Sequence, residues 1–570
     1  MIGLVSATAA GRAMARRLAD AWPDDTTVHS GPVAEQVQTA WRESTALVCF
    51  LATGATVRLL APLLSDKHTD PGVVCVDEAG AHAIALLGGH GGPGGGGANA
   101  LAERVAEVLG ARPVVSTATD ATGLTALDTF GADLGFRLAD RTRLARVSRA
   151  LLDGAGVHLA ADATWPLPAL STVDDETGPV IAITDRTGVD ADLVYRPPSL
   201  VLGVGASRGV PADEVDALIA EGLASAGLAP ESVRAVATVD VKADEAGIVE
   251  VANRHGWPLL TFPADELAKV AVPNPSEVVR AAVGTPSVAE AAALLGARIA
   301  GREATLVLAK RSSAMATLAI ARLTPRGRLT IVGLGPGAAD LRTPRATEAL
   351  RRAGIVVGLD QYVAQVRHLL RPGTRVLESG LGDEEQRART AVELATAGHA
   401  VALIGSGDAG VYAMASPALQ LAGPDVDVDM VPGITAALAA AALLGAPLGH
   451  DHAYLSLSDL HTPWPVIADR VRACAAADLV LCLYNPRSAK RTAQFGEALA
   501  ILAEHRKPET PVGVVRDASR PGERLCHTTL GALVDDPSIV DMRSVVVVGS
   551  GRTTTIAGRM VTPREYRWLP

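Results

Sequence analysis

Residues 328–344 read RLTIVGLGPGAADLRTP. Leu329, Ile331 and Val332 predict a short buried strand, because β-branched apolar runs suit a pleated, buried surface. Gly333, Leu334, Gly335, Pro336 and Gly337 end it abruptly, since Pro336 cannot donate to a strand ladder. Glycine at 333, 335 and 337 keeps side chains out of the way, so a ligand can approach the main chain closely. Thr343 then suits the N-cap of a helix and Pro344 its first turn. Strand, glycine loop and helix together predict a nucleotide-type binding edge.

One reading of this edge is a dinucleotide turn. Gly333-x-Gly335 begins like G-x-G-x-x-G, and Asp360 follows the apolar Ile355, Val356 and Val357, where a ribose-binding acid belongs. Against it, Ala338 stands in place of the third glycine, and Pro336 removes a donor that a pyrophosphate would use. A turn with no ligand is the other alternative. The loop alone does not decide among them.

The chain has 570 residues, too many for one hydrophobic core, and a length prior gives three or four domains. Hydrophobic residues are 48% and charged residues 20%, which describes a globular rather than a disordered chain. With aromatics at 3%, the cores must be packed by Ala, Val and Leu. A net charge of −10 argues against nucleic acid or an anionic membrane surface as a partner. Cys49, Cys75, Cys474, Cys482 and Cys526 form no C-x-x-C and no dense framework, which predicts free buried thiols in a reducing cytoplasm. Ile2 to Val5 is too short for a signal sequence, and the alanine-rich run from Gly433 to Gly449 is broken by glycine and Pro447. A soluble cytoplasmic protein is expected.

Around the central stretch, apolar runs alternate with helical patterns, the mark of α/β layers. Residues 1–140 carry strands at Ala46–Leu51 and Val73–Val76, a glycine-rich run from Gly88 to Gly97, and a helix to Leu109. In 141–198 the periodicity weakens and Pro, Asp and Thr become frequent, which predicts a small connecting domain. A further α/β unit covers 199–325, with strands at Leu200, Val233–Val239, Leu259–Phe262 and Thr305–Leu308. Leu323 to Gly327 (LTPRG) reads as a linker. The last domain, 328–570, divides into two α/β lobes, and a cleft between lobes is where small ligands bind.

Four segments of that last domain follow strands: GLGPG; Gly405–Tyr412 (GSGDAGVY); Val431–Ala436 (VPGITA); and Leu483–Ser488 (LYNPRS). Together, and in this order, they resemble the tetrapyrrole methyltransferases that use S-adenosylmethionine. LGAPLGHDHAYLSLSDLHTPW, YNPRSAKR, GVVRDASRPGE and HTTL resemble the precorrin-3B or cobalt-precorrin-3 C17-methyltransferases in particular. The resemblance implies that Gly335, Pro336, Gly337, Gly407, Asp408, Val411, Tyr412, Thr435, Ala436, Tyr484 and Asn485 line a cofactor cleft. Ala409 departs from the proline often found there. It also implies a homodimer formed through this domain. The donor carries an activated methyl on a sulfonium, so neither metal nor protein nucleophile is needed, and its lack of phosphate makes Pro336 tolerable. Holding donor and acceptor in line can supply roughly 7–11 kcal/mol of the barrier.

The acceptor implied is a macrocycle fringed with carboxylates. Arg487, Lys490, Arg491, Arg516 and Arg520 are candidates for a cationic rim, since arginine pairs carboxylates in a planar fork. Solvated surface charge is the alternative for each. Asp459, in SLSDL, is the candidate acid/base for the rearrangement that accompanies methylation.

The first 325 residues lack a G-x-S-x-G elbow, an H-E-x-x-H zinc helix and a Walker loop. GGHGGPGGGGANALAERVAEVLGARPVVSTATDATG, GVGASRGV, ATVDVKADEAG, VGTPSVAEAAALL and LVLAKRSSAMATLAIARL resemble the cobalt-precorrin-5A hydrolases. His90 and Asn99 are then substrate-binding candidates, and Lys242, Glu245 and Lys310 catalytic ones. A lactone-opening enzyme needs a base to deliver water and a cation to steady the oxyanion. Lys242 and Glu245 read equally as an ordinary surface ion pair, and Glu290 as an exposed helix acid.

The fold expected is α/β, with N-terminal α/β domains followed by a two-lobed methylase-like domain. The function expected is S-adenosylmethionine-dependent C17-methylation and ring contraction, joined to opening of a δ-lactone with release of acetaldehyde. The alternative is methylation at another tetrapyrrole position, with a non-catalytic macrocycle-binding module at the N-terminus.

Overall fold

The apolar runs become strands of six sheets, with helices between them, and the chain is α/β throughout. The computed structural model describes residues 1–66, 69–89, 97–116, 122–174, 178–488, 491–564 and 566. They fall into two units, Met1–Pro325 with Arg371–Gly373, and Arg326–Leu370 with Thr374–Pro570.

In the first unit, Ile2–Ser6 lies between Thr26–Val28 and Ala46–Phe50, all parallel, and Gly72–Val76 continues the sheet. Ile2–Ser6, Ala46–Phe50 and Gly72–Val76 are buried on both faces, so they read as continuous apolar runs. A four-stranded sheet follows, from Arg137–Leu138 to Leu193–Arg196. In the third sheet, Leu200–Ala206 has Val233–Val239 parallel on one side and Ala316–Thr324 antiparallel on the other. The expected strand Thr305–Leu308 is longer, Glu303–Ser312, and forms a hairpin with Ala316–Thr324, a strand the pattern reading passed over.

The helix Ala289–Ala300 rests on this sheet backbone to backbone. A Cβ at Gly203 would stand 1.8 Å from the Ala289 carbonyl oxygen and 2.7 Å from the Ala293 nitrogen. Only glycine fits such an approach. The buried alanines 289, 292, 293 and 297 continue the contact and set the start of the helix beside the end of Leu200–Ala206.

The second unit opens with a wholly parallel sheet in the order Arg375–Ser379, Ile355–Leu359, Ala400–Gly405, Gly327–Gly333, Val426–Val431. The chain moves outward over two strands, then returns beside Gly327–Gly333. The carboxyl ends of Gly327–Gly333 and Ala400–Gly405 therefore meet at a topological switch point, the place where open α/β sheets take ligands. A second sheet runs His452–Ser456, Val480–Tyr484, Ser544–Val548, Pro511–Arg516, Arg524–Thr529. The helix Ala436–Leu444 packs on it, with Leu444 over Gly513, where a Cβ would lie 2.2 Å from the Leu444 side chain.

The LTPRG segment is not a five-residue linker. Leu323 and Thr324 end one strand and Gly327 starts the next, leaving Pro325 and Arg326 between them. No helix among the described residues is long and apolar enough to cross a membrane.

Candidate functional site

In the second unit, three loops close on one another at the switch point. Gly335 and Gly407 form a two-bond antiparallel bridge, with N–H to carbonyl distances of 3.0 and 2.8 Å. A Cβ on Gly433 would lie 2.1 Å from the Gly407 carbonyl oxygen, and one on Gly333 would lie 2.8 Å from the same atom. The loops touch through main chain, which explains the glycines at their centres. Asp408 ties them further: its carboxylate accepts from Gly410 N–H at 2.8 Å and from Gly433 N–H at 3.0 Å. With both oxygens engaged, Asp408 is a brace between loops. Val411 N–H in turn donates to the Asp408 carbonyl at 3.2 Å.

Beside these loops stands a group of aromatic rings. The Tyr484 ring lies 5.3 Å from that of Tyr412 and 5.8 Å from that of Tyr454. Tyr484 Oη accepts from Ala437 N–H at 2.9 Å and pairs with Thr435 Oγ1 at 2.7 Å, fastening the strand end to the start of Ala436–Leu444. Tyr412 Oη donates to the Tyr454 carbonyl at 2.7 Å while its ring stays half exposed. Burial raises the Tyr484 phenol and pushes Tyr454 up to about 12, so both stay neutral at physiological pH. Tyr412, Asn485, Asp517 and Ser519 all have φ between +48° and +57°. For residues other than glycine this is a sparsely populated region, and such positions gather at functional sites. Asn485 Nδ2 donates to Ser456 Oγ at 3.1 Å.

The expected cationic rim divides. Arg491 is buried and donates to the carbonyls of Leu457, Pro486 and Asn485 at 2.7, 3.4 and 2.6 Å, so it organises the loop from inside and is not a rim cation. Arg520 reaches the glycine loop, with Nε on the Pro336 carbonyl at 2.6 Å and Nη2 on Ser406 Oγ. A Cβ on Gly337 would lie 2.4 Å from its Cγ. Arg516 pairs with Asp541 at 2.8 Å, and Arg487 donates to the Pro537 carbonyl at 3.1 Å. Both remain partly exposed. Asp459 accepts from Gln494 at 2.8 Å and stands 3.7 Å from Arg491 Nε. Lys490 lies outside the described residues, as does His90.

In the first unit, Glu245 and Lys242 are not the surface pair expected. Glu245 is 2% exposed, and it accepts from Lys242 Nζ at 3.1 Å and from Gly209 N–H at 2.7 Å. Burial raises its pKa, but the bonds from Lys242 and Gly209, with the charges of Lys242 and Arg208, more than offset this and hold it below the ordinary value. Glu290 is fully buried and not exposed: Asn274 N–H, Asn274 Nδ2 and Lys310 N–H donate to it at 3.0, 2.7 and 3.0 Å. Lys242 and Lys310 both line a cleft of about 550 Å³ at the end of Leu200–Ala206. Asn99 does not: it sits in the first turn of Ala98–Leu109, where its N–H donates to the Gly89 carbonyl at 2.9 Å. The bracing residues Ser406, Ser456 and Tyr454 have no role assigned from the sequence, although Ser406 lies inside GSGDAGVY and the other two inside LGAPLGHDHAYLSLSDLHTPW.

Three glycine loops meeting at a switch point beside an aromatic second lobe suit a small-molecule site, and comparison with known proteins gives the family. The chain belongs to the tetrapyrrole (corrin/porphyrin) methylases through residues 328–534, and to the cobalamin synthesis G proteins through 35–120 (N-terminal), 125–197 (central) and 200–321 (C-terminal). Over 244 residues it is 48% identical to a protein of Salmonella typhimurium named "Probable cobalt-factor III C(17)-methyltransferase", covering 42% of this chain and 99% of that one. It is 31% identical to the cobalt-precorrin-5A hydrolase of Priestia megaterium, covering 51% of this chain and 82% of the hydrolase. A crystal structure of the methyltransferase CobJ aligns at 39% identity over 42% of this chain and 100% of that one, with a TM-score of 0.39.

Proposed function

We infer that the chain is a bifunctional enzyme of cobalamin biosynthesis. Its second unit methylates C17 of a cobalt-factor III or precorrin-3-level macrocycle with ring contraction, and its first unit opens the δ-lactone of cobalt-precorrin-5A with release of acetaldehyde. The observation that carries this reading is that two parts of one chain cover 99% of one relative and 82% of another. Both relatives are named for cobalt-containing substrates, which favours the cobalt series here.

S-adenosylmethionine is the donor that membership of the methylase family implies, and it supplies an activated methyl on a sulfonium. The residues suit it. The three tyrosines offer aromatic faces, which attract a cation by their quadrupoles. The meeting glycine loops present main-chain groups for the donor's carboxylate and ammonium, and no phosphate site is needed beside Pro336. On this reading Gly335, Pro336, Gly337, Gly407, Val411, Tyr412, Thr435, Ala436, Tyr484 and Asn485 line the donor's cleft, while Asp408 holds its shape. Arg516 and Arg487 are the partly exposed cations left to meet the macrocycle's carboxylates. Asp459 is the candidate acid/base, held by Gln494. The homodimer implied by the same family is a matter for analytical ultracentrifugation.

The test is mass spectrometry of the corrinoid products formed by the full chain with S-adenosylmethionine, with and without cobalt in the macrocycle. The reading requires one added methyl and, with lactone supplied, acetaldehyde. Methylation at another ring position, or no acetaldehyde from a lactone that is present, would overturn it in the corresponding half.

A further inference from the structure

The cleft of about 550 Å³ in the first unit is walled largely by apolar side chains, among them Val278, Val283, Val288 and Met315, with Lys242 and Lys310 also on its lining. The helix Ala289–Ala300 begins at its edge, twelve residues long, with no side chain capping its N-terminus. The first amides of such a helix point outward and carry partial positive charge, which favours an anion. Immediately before the helix, Ser287 lines the same cleft. It is 3% exposed, and its hydroxyl finds no hydrogen-bond partner among the described residues. A buried hydroxyl without a partner is costly, and native structures reserve such groups for a ligand, a water or chemistry. Ser287 is among the residues that line the cleft.

The surrounding carboxylates are engaged elsewhere. Glu290, in the first turn, is held by Asn274 and by the Lys310 N–H, which fixes the strand carrying Lys310 against the helix start. Glu245 holds the Lys242 ammonium from beneath, anchored by Gly209. Each lysine on the cleft thus has its place set by a buried acid, Lys310 through its backbone and Lys242 through its side chain.

We propose that this cleft holds the lactone carbonyl, and the carboxylate it becomes, with the Ser287 hydroxyl and the first amides of Ala289–Ala300 as donors and Lys242 and Lys310 as flanking cations. The proposal rests on the hydrolase reading given above. In the step served, water oxygen bonds to the carbonyl carbon and the ring C–O bond breaks. The departing alkoxide becomes the carbonyl of acetaldehyde as its carbon–carbon bond to the macrocycle breaks, the macrocycle carbon takes one proton of the water, the other leaves to solvent, and a carboxylate remains. No oxidant or reductant is required. Donors fixed in advance at the carbonyl oxygen stabilise the charge that grows there. The apolar walls suit the face of a macrocycle.

The experiment compares the full chain with Ser287→Ala, Ser287→Thr and Lys310→Met. It measures acetaldehyde release from a corrinoid δ-lactone and, by absorbance titration, binding of the same lactone. Loss of one oxyanion donor elsewhere lowers kcat about 10²–10³-fold, so Ser287→Ala should slow opening at least roughly tenfold. Ser287→Thr should keep most of the rate, and Lys310→Met should weaken lactone binding. Methyl transfer and melting temperature report whether each variant is folded. Native rates and native binding in both Ser287→Ala and Lys310→Met would overturn the site. If the native chain opens no lactone, the hydrolase reading fails, and the titration still decides whether the cleft binds it.

Discussion

Removing the Asp408 carboxylate should weaken binding of the methyl donor without unfolding the domain. Its two oxygens accept from Gly410 N–H at 2.8 Å and Gly433 N–H at 3.0 Å, so the side chain joins the second glycine loop to the third. A hydrogen bond to a charged group contributes about 1.5–3 kcal/mol, and Asp408 is only partly buried, so the low end applies to each. Two such bonds give about 3 kcal/mol, which is roughly a hundredfold in affinity if all of it holds the loops in the binding shape. Water replacing one of the bonds reduces the loss to about tenfold. Asp408→Ala should therefore bind S-adenosylhomocysteine ten- to a hundredfold more weakly in titration calorimetry of the full chain. Asp408→Asn keeps one acceptor but turns an NH₂ toward the other N–H, so about tenfold is expected. Melting curves establish that each variant is folded. Unchanged affinity in folded Asp408→Ala would show that the loops keep their shape without the brace, and the reasoning would fail.

Arg520→Ala removes the donors on the Pro336 carbonyl and Ser406, and should weaken the same ligand while leaving macrocycle binding nearly unchanged. Arg491→Met leaves three carbonyls without their donor, and should cost about 3 kcal/mol in denaturant unfolding at about 1 kcal/mol per bond. Native stability in that variant would show that these three bonds do not hold the loop. Arg487→Ala combined with Arg516→Ala should raise KM for the tetrapyrrole, most at low salt, because partly exposed pairs are screened. Equal effects on the donor's KM would place these arginines elsewhere. Glu245 has a lowered pKa, so its stabilising contribution is present above the unfolded value of about 4.3 and is lost as pH falls through the lower folded value. Thermal melts across that acid window should fall less steeply for Glu245→Gln than for the native chain.

The elements easiest to read were those whose burial is uniform. Ile355–Leu359 and Ala400–Gly405 are buried at every position, so an unbroken apolar run was enough to find them. Thr343 and Pro344 were legible because capping is local: Thr343 Oγ1 accepts from Ala346 N–H at 3.1 Å. Two of the edge strands were not. Val426–Val431 reads VDVDMV and Arg524–Thr529 reads RLCHTT, and both expose much of their surface, so polar residues interrupt the pattern. Charges were the least legible of all. The spacing of Arg487, Arg491, Arg516 and Arg520 is compatible with a rim, but one is buried on carbonyls and another clasps the glycine loop. A sequence shows that a cation is present and not which acceptors lie within its reach. Those acceptors come from residues 5 to 184 positions away in the chain.

The two units share a device that accounts for the glycines a motif search first notices. In the second unit, Gly333, Gly407 and Gly433 let three strand ends meet main chain to main chain, so that exposed backbone donors and acceptors collect at one point. In the first, Gly203 lets Ala289–Ala300 rest on the central strand, which brings the helix start to the strand end where Ser287, Lys242 and Lys310 line the cleft. In neither case does glycine need to touch a ligand. Its effect is to allow an approach that any Cβ would prevent, and the binding surface follows from that approach. Gly203→Ala should therefore damage lactone opening by displacing the helix start, even though residue 203 lies inside the sheet. Its Cβ has 1.8 Å where ordinary contact needs about twice that. A Gly203→Ala chain with native melting and native lactone opening would show that the helix position is not what makes the cleft.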